Sequence, residues 1–154
     1  MNPQGRYIRR ARPADIPAIM AIEQECFVEP WDEEVFVQTL EWTPFFFFVT
    51  MADGRIQGFV VGCLENTGSA VYGHISNLGV TAAYRGKGLG RLLVARLERQ
   101  FVLEGAEGAL LEVRVSNTGA QEFYHRLGYR EAFLLSGYYS NGEDALVMMR
   151  DLPL

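Results

Sequence analysis

Hydrophobic residues recur along this chain with two periods, and the switches between them mark the elements. Tyr7–Arg10 reads as a short first strand. Pro13-Ala14-Asp15 opens a helix, with Asp15 as its cap and Ile16, Ile19, Met20 and Phe27 at helical spacing. Glu29-Pro30-Trp31 breaks it. Asp32 caps a second helix through Leu40, whose first turn carries Glu33 and Glu34 where the macrodipole favours anions. Pro44 ends that helix, and Phe45–Thr50 follows as a strand. Ala52-Asp53-Gly54-Arg55 is a hairpin turn, and Ile56–Leu64 is the returning strand. Asn66–Ser69 then turns the chain into a strand over Val71–Val80.

The second half changes rhythm. Leu89, Leu92, Leu93, Leu97 and Phe101 form an apolar stripe on a helix that ends near Gly105. Leu110–Val115 is a strand, Thr118–Leu127 a helix, Tyr129–Leu135 a strand and Ala145–Asp151 the last strand. Strands alternating with helices imply right-handed crossovers and some parallel pairing. The fold class is therefore α/β, a mixed, mostly antiparallel sheet with helices on both faces. One domain over residues 1–154 accommodates it, with no repeat, low-complexity tract or linker.

Composition narrows the partners. The 154 residues are 49% hydrophobic and 21% charged, enough for an ordinary core and too apolar for a disordered chain. No apolar run approaches the roughly 20 residues of a membrane-spanning helix. Met1–Arg12 is too polar for a secretory signal, so cytoplasmic residence is expected. A net charge of −5 argues against a general nucleic-acid binder and suits a cationic substrate such as an amine. Cys26 and Cys63 have neither the spacing nor the neighbouring His of a zinc site, and no metal is expected.

The richest segment is Tyr84-Arg85-Gly86-Lys87-Gly88-Leu89-Gly90-Arg91, which runs from the end of a strand directly into the long helix. Alternate glycines let a ligand approach the backbone, and the helix start offers free N–H groups to an anion. Arg85, Lys87 and Arg91 add positive charge, so a pyrophosphate is the natural occupant. The Walker pattern fails because Gly88 follows Lys87 where Ser or Thr is required. The dinucleotide fingerprint fails on its glycine spacing.

Arg85-Gly86-Lys87-Gly88-Leu89-Gly90 resembles the pyrophosphate loop of the GNAT N-acetyltransferases. The resemblance spans nearly the whole chain. It takes in Leu78-Gly79-Val80 before the loop, Leu111–Asn117 after it and the ending Gly137–Ala145 with its Tyr138-Tyr139 pair. With Glu29-Pro30-Trp31, these look like the branch that acetylates protein N-termini, RimI-like ribosomal-protein alanine acetyltransferases and their archaeal relatives. The resemblance implies the GNAT fold, with a splayed parallel pair at the centre of the sheet. It also implies acetyl-CoA as cosubstrate, held by Arg85–Arg91, by the backbone of Leu78, Gly79 and Val80, and by Asn117 and Tyr124.

Direct attack of an amine on a thioester needs a proton acceptor and an acid for the leaving thiolate. Strand alternation puts Leu111, Val113 and Val115 on one face and Glu112 and Arg114 on the other. Alone, Glu112 reads as a surface acid paired with Arg114 or with a neighbouring strand; the resemblance places the family's base there, acting through a water. Tyr124, the candidate acid, lies seven residues after Asn117, two turns along the same helix face, so Asn117 can cap the helix or hold the cofactor arm while Tyr124 reaches the sulfur. Its alternative is packing beside Phe123 and Leu127. His74 precedes Leu78-Gly79-Val80 on its strand and is a candidate for the proton relay, or a structural histidine.

The expected acceptor is a peptide N-terminus. An α-amine with a pKa of ~7.7–8.0 is partly neutral at pH 7, whereas lysine at ~10.4 is almost wholly charged. Glu29, Trp31, Tyr138 and Tyr139 would line the peptide groove. Glu29 stands where the bacterial pattern has an apolar residue, Ser140-Asn141-Gly142 is short, and Gly73-His74-Ile75 resembles the archaeal and eukaryotic branch more. The alternatives are the same chemistry on lysine or small amines, and a non-catalytic acyl-CoA-binding module. The oligomeric state is not readable.

Overall fold

Pairing of the strands follows the hydrophobic pattern closely in the computed structural model, which describes residues 5–153. The strands are β1 (Tyr7–Arg10), β2 (Phe47–Ala52), β3 (Arg55–Asn66), β4 (Val71–Val80), β5 (Gly108–Arg114), β6 (Arg130–Leu135) and β7 (Ala145–Asp151). The helices are α1 (Ile16–Cys26), α2 (Glu33–Trp42), α3 (Leu89–Leu103) and α4 (Thr118–Arg126). The seven strands form one sheet in the order β1-β2-β3-β4-β5-β7-β6. β4 and β5 are parallel, whereas β1–β2, β2–β3, β5–β7 and β6–β7 are antiparallel. The parallel ladder pairs Tyr72–His74 with Gly108–Leu110, while β4 continues to Val80 and β5 to Arg114. Among the described residues no helix is long and apolar enough to cross a membrane.

Several boundaries move for local reasons. Pro44 starts a single 3-10 turn over Pro44–Phe46, so β2 begins at Phe47 rather than Phe45. Asp15 does not cap α1 with its side chain; it accepts from Arg12 N at 2.8 Å and pairs with Arg9 at 2.6 Å. Phe27 falls outside α1, because its extended backbone closes the helix with a bond to Glu23 O. Asp32 caps α2 as expected, accepting from Val35 N. Asp53 and Gly54 both have positive φ, 53° and 76°, the geometry of a tight hairpin turn. α3 stops at Leu103, where Gly105 at φ 89° lets Ala106 N reach back to Phe101 O.

The chain packs as two units. The first holds the described residues up to Cys63 together with Asn77–Gln100. Its core gathers Ile16, Ile19 and Ile22 of α1, Phe36 of α2, and Phe47, Val49, Phe59 and Val61 of β2 and β3. Phe36 is its hub, tilted against Trp31 at 5.3 Å and edge-on to Phe59 at 5.6 Å. Truncating such a buried ring to alanine costs about 3–5 kcal/mol. The second unit, Leu64–Ser76 and the residues from Phe101 on, buries Phe101, Leu111, Val113, Tyr124, Tyr129 and Met148. Gly73 is required there, because a Cβ would sit 2.1 Å from the Phe101 ring.

Candidate active site

In the second unit, alternation along β5 buries Leu111 and Val113 and turns Glu112 to the opposite face, where it does not pair with Arg114. Instead His74 Nε2 of β4 lies 2.7 Å from Glu112 Oε2 and 3.0 Å from Oε1. The Tyr138 hydroxyl donates to Glu112 Oε1 at 3.0 Å. Glu112 is largely enclosed, with 14% of its side chain exposed. Burial alone would raise its pKa. The hydrogen bond and charge of His74, and the Tyr138 hydroxyl, more than offset this and hold the carboxyl below its usual range. Burial first, then the Glu112 bond, pushes Tyr138 up to about 12. Two residues that the sequence assigns to different tasks, His74 and Tyr138, therefore meet on one carboxylate.

A participant missed by the sequence reading is Glu65, near the end of β3, whose Oε1 lies 3.1 Å from His74 Nδ1. The signal available was an acid closing an apolar strand just before the turn that leads to His74.

Tyr139 stacks edge-on against Tyr138 and carries the Arg114 guanidinium 4.0 Å over its ring. Arg114 is itself fixed by Glu143 at 3.1 Å and by Asn141 Oδ1 at 3.2 Å, so the loop before β7 is tied to β5. Asn117 caps α4 by accepting from Ala120 N at 3.0 Å. Tyr124, on the same helix, is 8% exposed and packs against Phe123 at 5.0 Å and Tyr129 at 5.5 Å. Burial raises its pKa well above the usual phenol range, so the group stays protonated.

In the first unit, Gly86 and Gly88 have φ of 74° and 85° with no atom near a built Cβ. Their glycines are thus demanded by left-handed backbone rather than by crowding. Leu89 and Gly90 open α3, and the Leu89 side chain is core. The initial N–H groups of α3 have no intrahelical partners, as in every helix. Arg85, Lys87 and Arg91 are exposed around them. Arg85 donates to Val80 O at 3.1 Å, and Cys26 Sγ to the same carbonyl at 3.3 Å. Gly79 has a packing reason of its own: a Cβ would meet the Phe59 ring at 2.8 Å. Leu78 lies beside it on β4, partly buried.

Glu23 is the second residue the sequence reading missed. It is 1% exposed, and its carboxylate accepts from Trp31 N at 2.9 Å and Asn77 Nδ2 at 2.8 Å. Burial raises its pKa, and the two hydrogen bonds only partly counter this. Its signal was position, four residues after Ile19 on the apolar stripe. Through it the turn carrying exposed Glu29 and half-buried Trp31 is anchored to β4.

The profile of the Acetyltransferase (GNAT) family matches residues 16–129. An uncharacterized N-acetyltransferase of Methanocaldococcus jannaschii is 37% identical over 147 residues, 95% of this chain and 92% of that protein. The N-alpha-acetyltransferase of Sulfurisphaera tokodaii is 34% identical over 154 aligned residues, 94% of this chain and 92% of its own length. Among solved structures, the ribosomal-protein-S18-alanine N-acetyltransferase of Escherichia coli superposes with a TM-score of 0.83 at 28% identity, over 97% of this chain and 95% of that one. The mixed seven-stranded sheet with its parallel β4–β5 pair is the GNAT fold, and the chain belongs to the GNAT acetyltransferase family as an N-acetyltransferase.

Proposed function

We propose that this enzyme transfers acetyl from acetyl-CoA to the α-amine of protein N-termini, directly within a ternary complex. The observation that carries the reading is the enclosed Glu112 carboxylate, held ready by His74 and Tyr138. An α-amine has a pKa of about 7.7–8.0, so losing its proton at neutral pH demands only a modest base. Glu112 receives that proton, through a water, and the neutral nitrogen attacks the thioester carbonyl. Tyr124, kept protonated by burial, donates toward the departing sulfur.

Cosubstrate binding falls to the segment around α3. Left-handed Gly86 and Gly88 present amides at a helix start, ringed by exposed Arg85, Lys87 and Arg91, a fit for a diphosphate. Leu78, Gly79 and Val80 offer strand backbone to the pantetheine arm, and Asn117 stands at the head of the Tyr124 helix. Glu29, Trp31, Tyr138 and Tyr139 would receive the peptide. The archaeal relative named for α-amine acetylation supports that substrate class, and the bacterial structure supports a ribosomal-protein terminus among the targets.

The deciding experiment is release of free CoA thiol on a peptide panel with free and blocked N-termini. Turnover on free termini and none on blocked ones is expected. Activity that survives the block assigns the enzyme to lysine or small amines, and absence of thiol release with every amine reduces it to a binding module.

A further inference from the structure

Two acids of the first unit, Glu23 and Glu25, stand in the last turn of α1, the end where the helix macrodipole disfavours anions. Each carboxylate serves a segment outside the helix. Glu23 holds the turn with Trp31, and Glu25 Oε1 accepts from Ala82 N at 2.6 Å. Ala82 opens the single 3-10 turn Ala82–Tyr84, which lies between β4 and the left-handed Gly86 and Gly88. Its N–H, the first of that turn, has no partner within it.

The residues on either side of Ala82 are tied down by other groups of the same unit. Thr81 N donates to Gln57 O at 2.9 Å, and Thr81 Oγ1 to Gln57 Oε1 at 2.9 Å. Arg85 reaches back to Val80 O at 3.1 Å and to Cys26 Sγ at 3.3 Å, and the Tyr84 hydroxyl donates to Asp53. Glu25 adds the bond at Ala82 N, so the last turn of α1 grips the chain midway between the end of β4 and the glycines.

We propose that Glu25 is a positioning residue for acetyl-CoA: by accepting from Ala82 N it sets the path from β4 into α3, so that the amides about Gly86 and Gly88 are in place before the diphosphate arrives. This rests on the reading of that loop as the diphosphate site. A loop already ordered loses less freedom on binding, and the difference appears as affinity. Charge alone has the opposite effect. A carboxylate bonded to this loop repels a diphosphate, so its removal would tighten binding if repulsion dominated. Positioning and repulsion therefore give opposite signs for the same substitution.

The test measures CoA and pantetheine binding by calorimetry for wild type, Glu25→Ala and Glu25→Gln in the full chain. Pantetheine keeps the thiol arm and lacks the diphosphate. Wild type should hold CoA more tightly than pantetheine. Glu25→Ala should raise the CoA dissociation constant by about 3-fold to 10-fold, the range of one partly solvated hydrogen bond, and leave pantetheine unchanged. Glu25→Gln still accepts from Ala82 N through its amide oxygen and should bind CoA nearly as wild type does. Glu25 is exposed, so Tm should agree within about 2 °C across the three proteins. A Glu25→Ala protein that binds CoA as tightly as wild type, or more tightly, overturns the proposal. So does a Glu25→Gln protein as weak as Glu25→Ala. Equal affinity of wild type for CoA and pantetheine would instead reject the diphosphate reading, and the proposal with it.

Discussion

The Tyr138 hydroxyl donates to Oε1 of Glu112 while His74 Nε2 sits against Oε2, so both oxygens of the one enclosed carboxylate on β5 are engaged. Both partners favour the anion, which is why the carboxyl lies below its usual range despite its burial. Tyr138→Phe removes one of the two donors. The Glu112 pKa must then rise, and the acid limb of the kcat/KM profile must move to higher pH. A hydrogen bond to a charged group contributes about 1.5–3 kcal/mol when shielded, and one pH unit corresponds to about 1.4 kcal/mol. Tyr138 is 50% exposed, so water replaces part of the bond and the shift should stay below about one unit. A pH–rate profile that does not move removes Tyr138 from the machinery.

Glu112→Gln keeps the shape and removes the proton acceptor. Turnover should fall by about 10²- to 10⁴-fold, with acetyl-CoA affinity measured by calorimetry unchanged. Stability supplies an independent check. A carboxyl whose folded pKa is lowered contributes stability above its unfolded value, and that contribution is lost as pH falls through the folded one. The gap in Tm between wild type and Glu112→Gln should therefore be widest at neutral pH. It should close on acidification below about 4.3, the ordinary glutamate value. Equal rates for the two proteins would end the assignment of Glu112 as base.

Much of this arrangement was legible in the chain because it depends on period. Alternation along β5 put Glu112 opposite Leu111 and Val113, and the three strands from β2 to β4 with their turns read off directly. Asp32 and Asn117 cap their helices as residue type and position imply. What escaped were pairings over long separations. Glu65 and His74 lie nine residues apart across a turn, and Glu112 meets Tyr138 from 26 residues away. Glu23 carries no local signal beyond its place on the apolar stripe. The alternating glycines are expected to clear space for a ligand; Gly86 and Gly88 also meet a demand for left-handed backbone, and Gly79 on β4 relieves crowding by Phe59. Sequence spacing names which glycines matter and is silent on the reason.

Tyr124 separates a chemical role from a packing one. Its ring fills the space between Phe123 and Tyr129, and only the hydroxyl can serve the leaving sulfur. Tyr124→Phe should keep Tm nearly constant and lower kcat by about 10²-fold, the low end for a positioned acid. Tyr124→Ala should cost about 3–5 kcal/mol of stability as well. A Phe variant with full turnover leaves Tyr124 as packing alone.

Gly86→Ala and Gly88→Ala place a side chain on left-handed backbone without any clash. Each should cost about 1–2 kcal/mol through strain. Relaxing that strain would reorient the amides ahead of α3, so the dissociation constant for CoA should rise while kcat at saturation holds. Calorimetry on each variant checks this, and unchanged affinity in both would detach the loop from the diphosphate.

Glu23 offers the sharpest link between fold and specificity. Its two oxygens take two donors, Trp31 N and Asn77 Nδ2, so glutamine is not a conservative replacement. The Gln amide has one acceptor and would turn its NH2 toward the other donor. Glu23→Gln should therefore destabilise by about 1–3 kcal/mol, the cost of a buried polar group left without a partner. The pH dependence has the opposite sign from that of Glu112. Burial raises the folded pKa of Glu23, so its contribution is fully present below the ordinary value of about 4.3 and diminishes as pH rises through the raised one. Wild type should accordingly gain on Glu23→Gln in melting experiments as pH is lowered through that window. Function should follow the turn that Glu23 anchors. With Glu29 and Trp31 loosened, KM for the peptide should rise more than KM for acetyl-CoA, and preference among first residues should flatten. If Glu23→Gln melts earlier yet keeps the wild-type ranking of peptides, the anchored turn belongs to the fold and not to the choice of substrate.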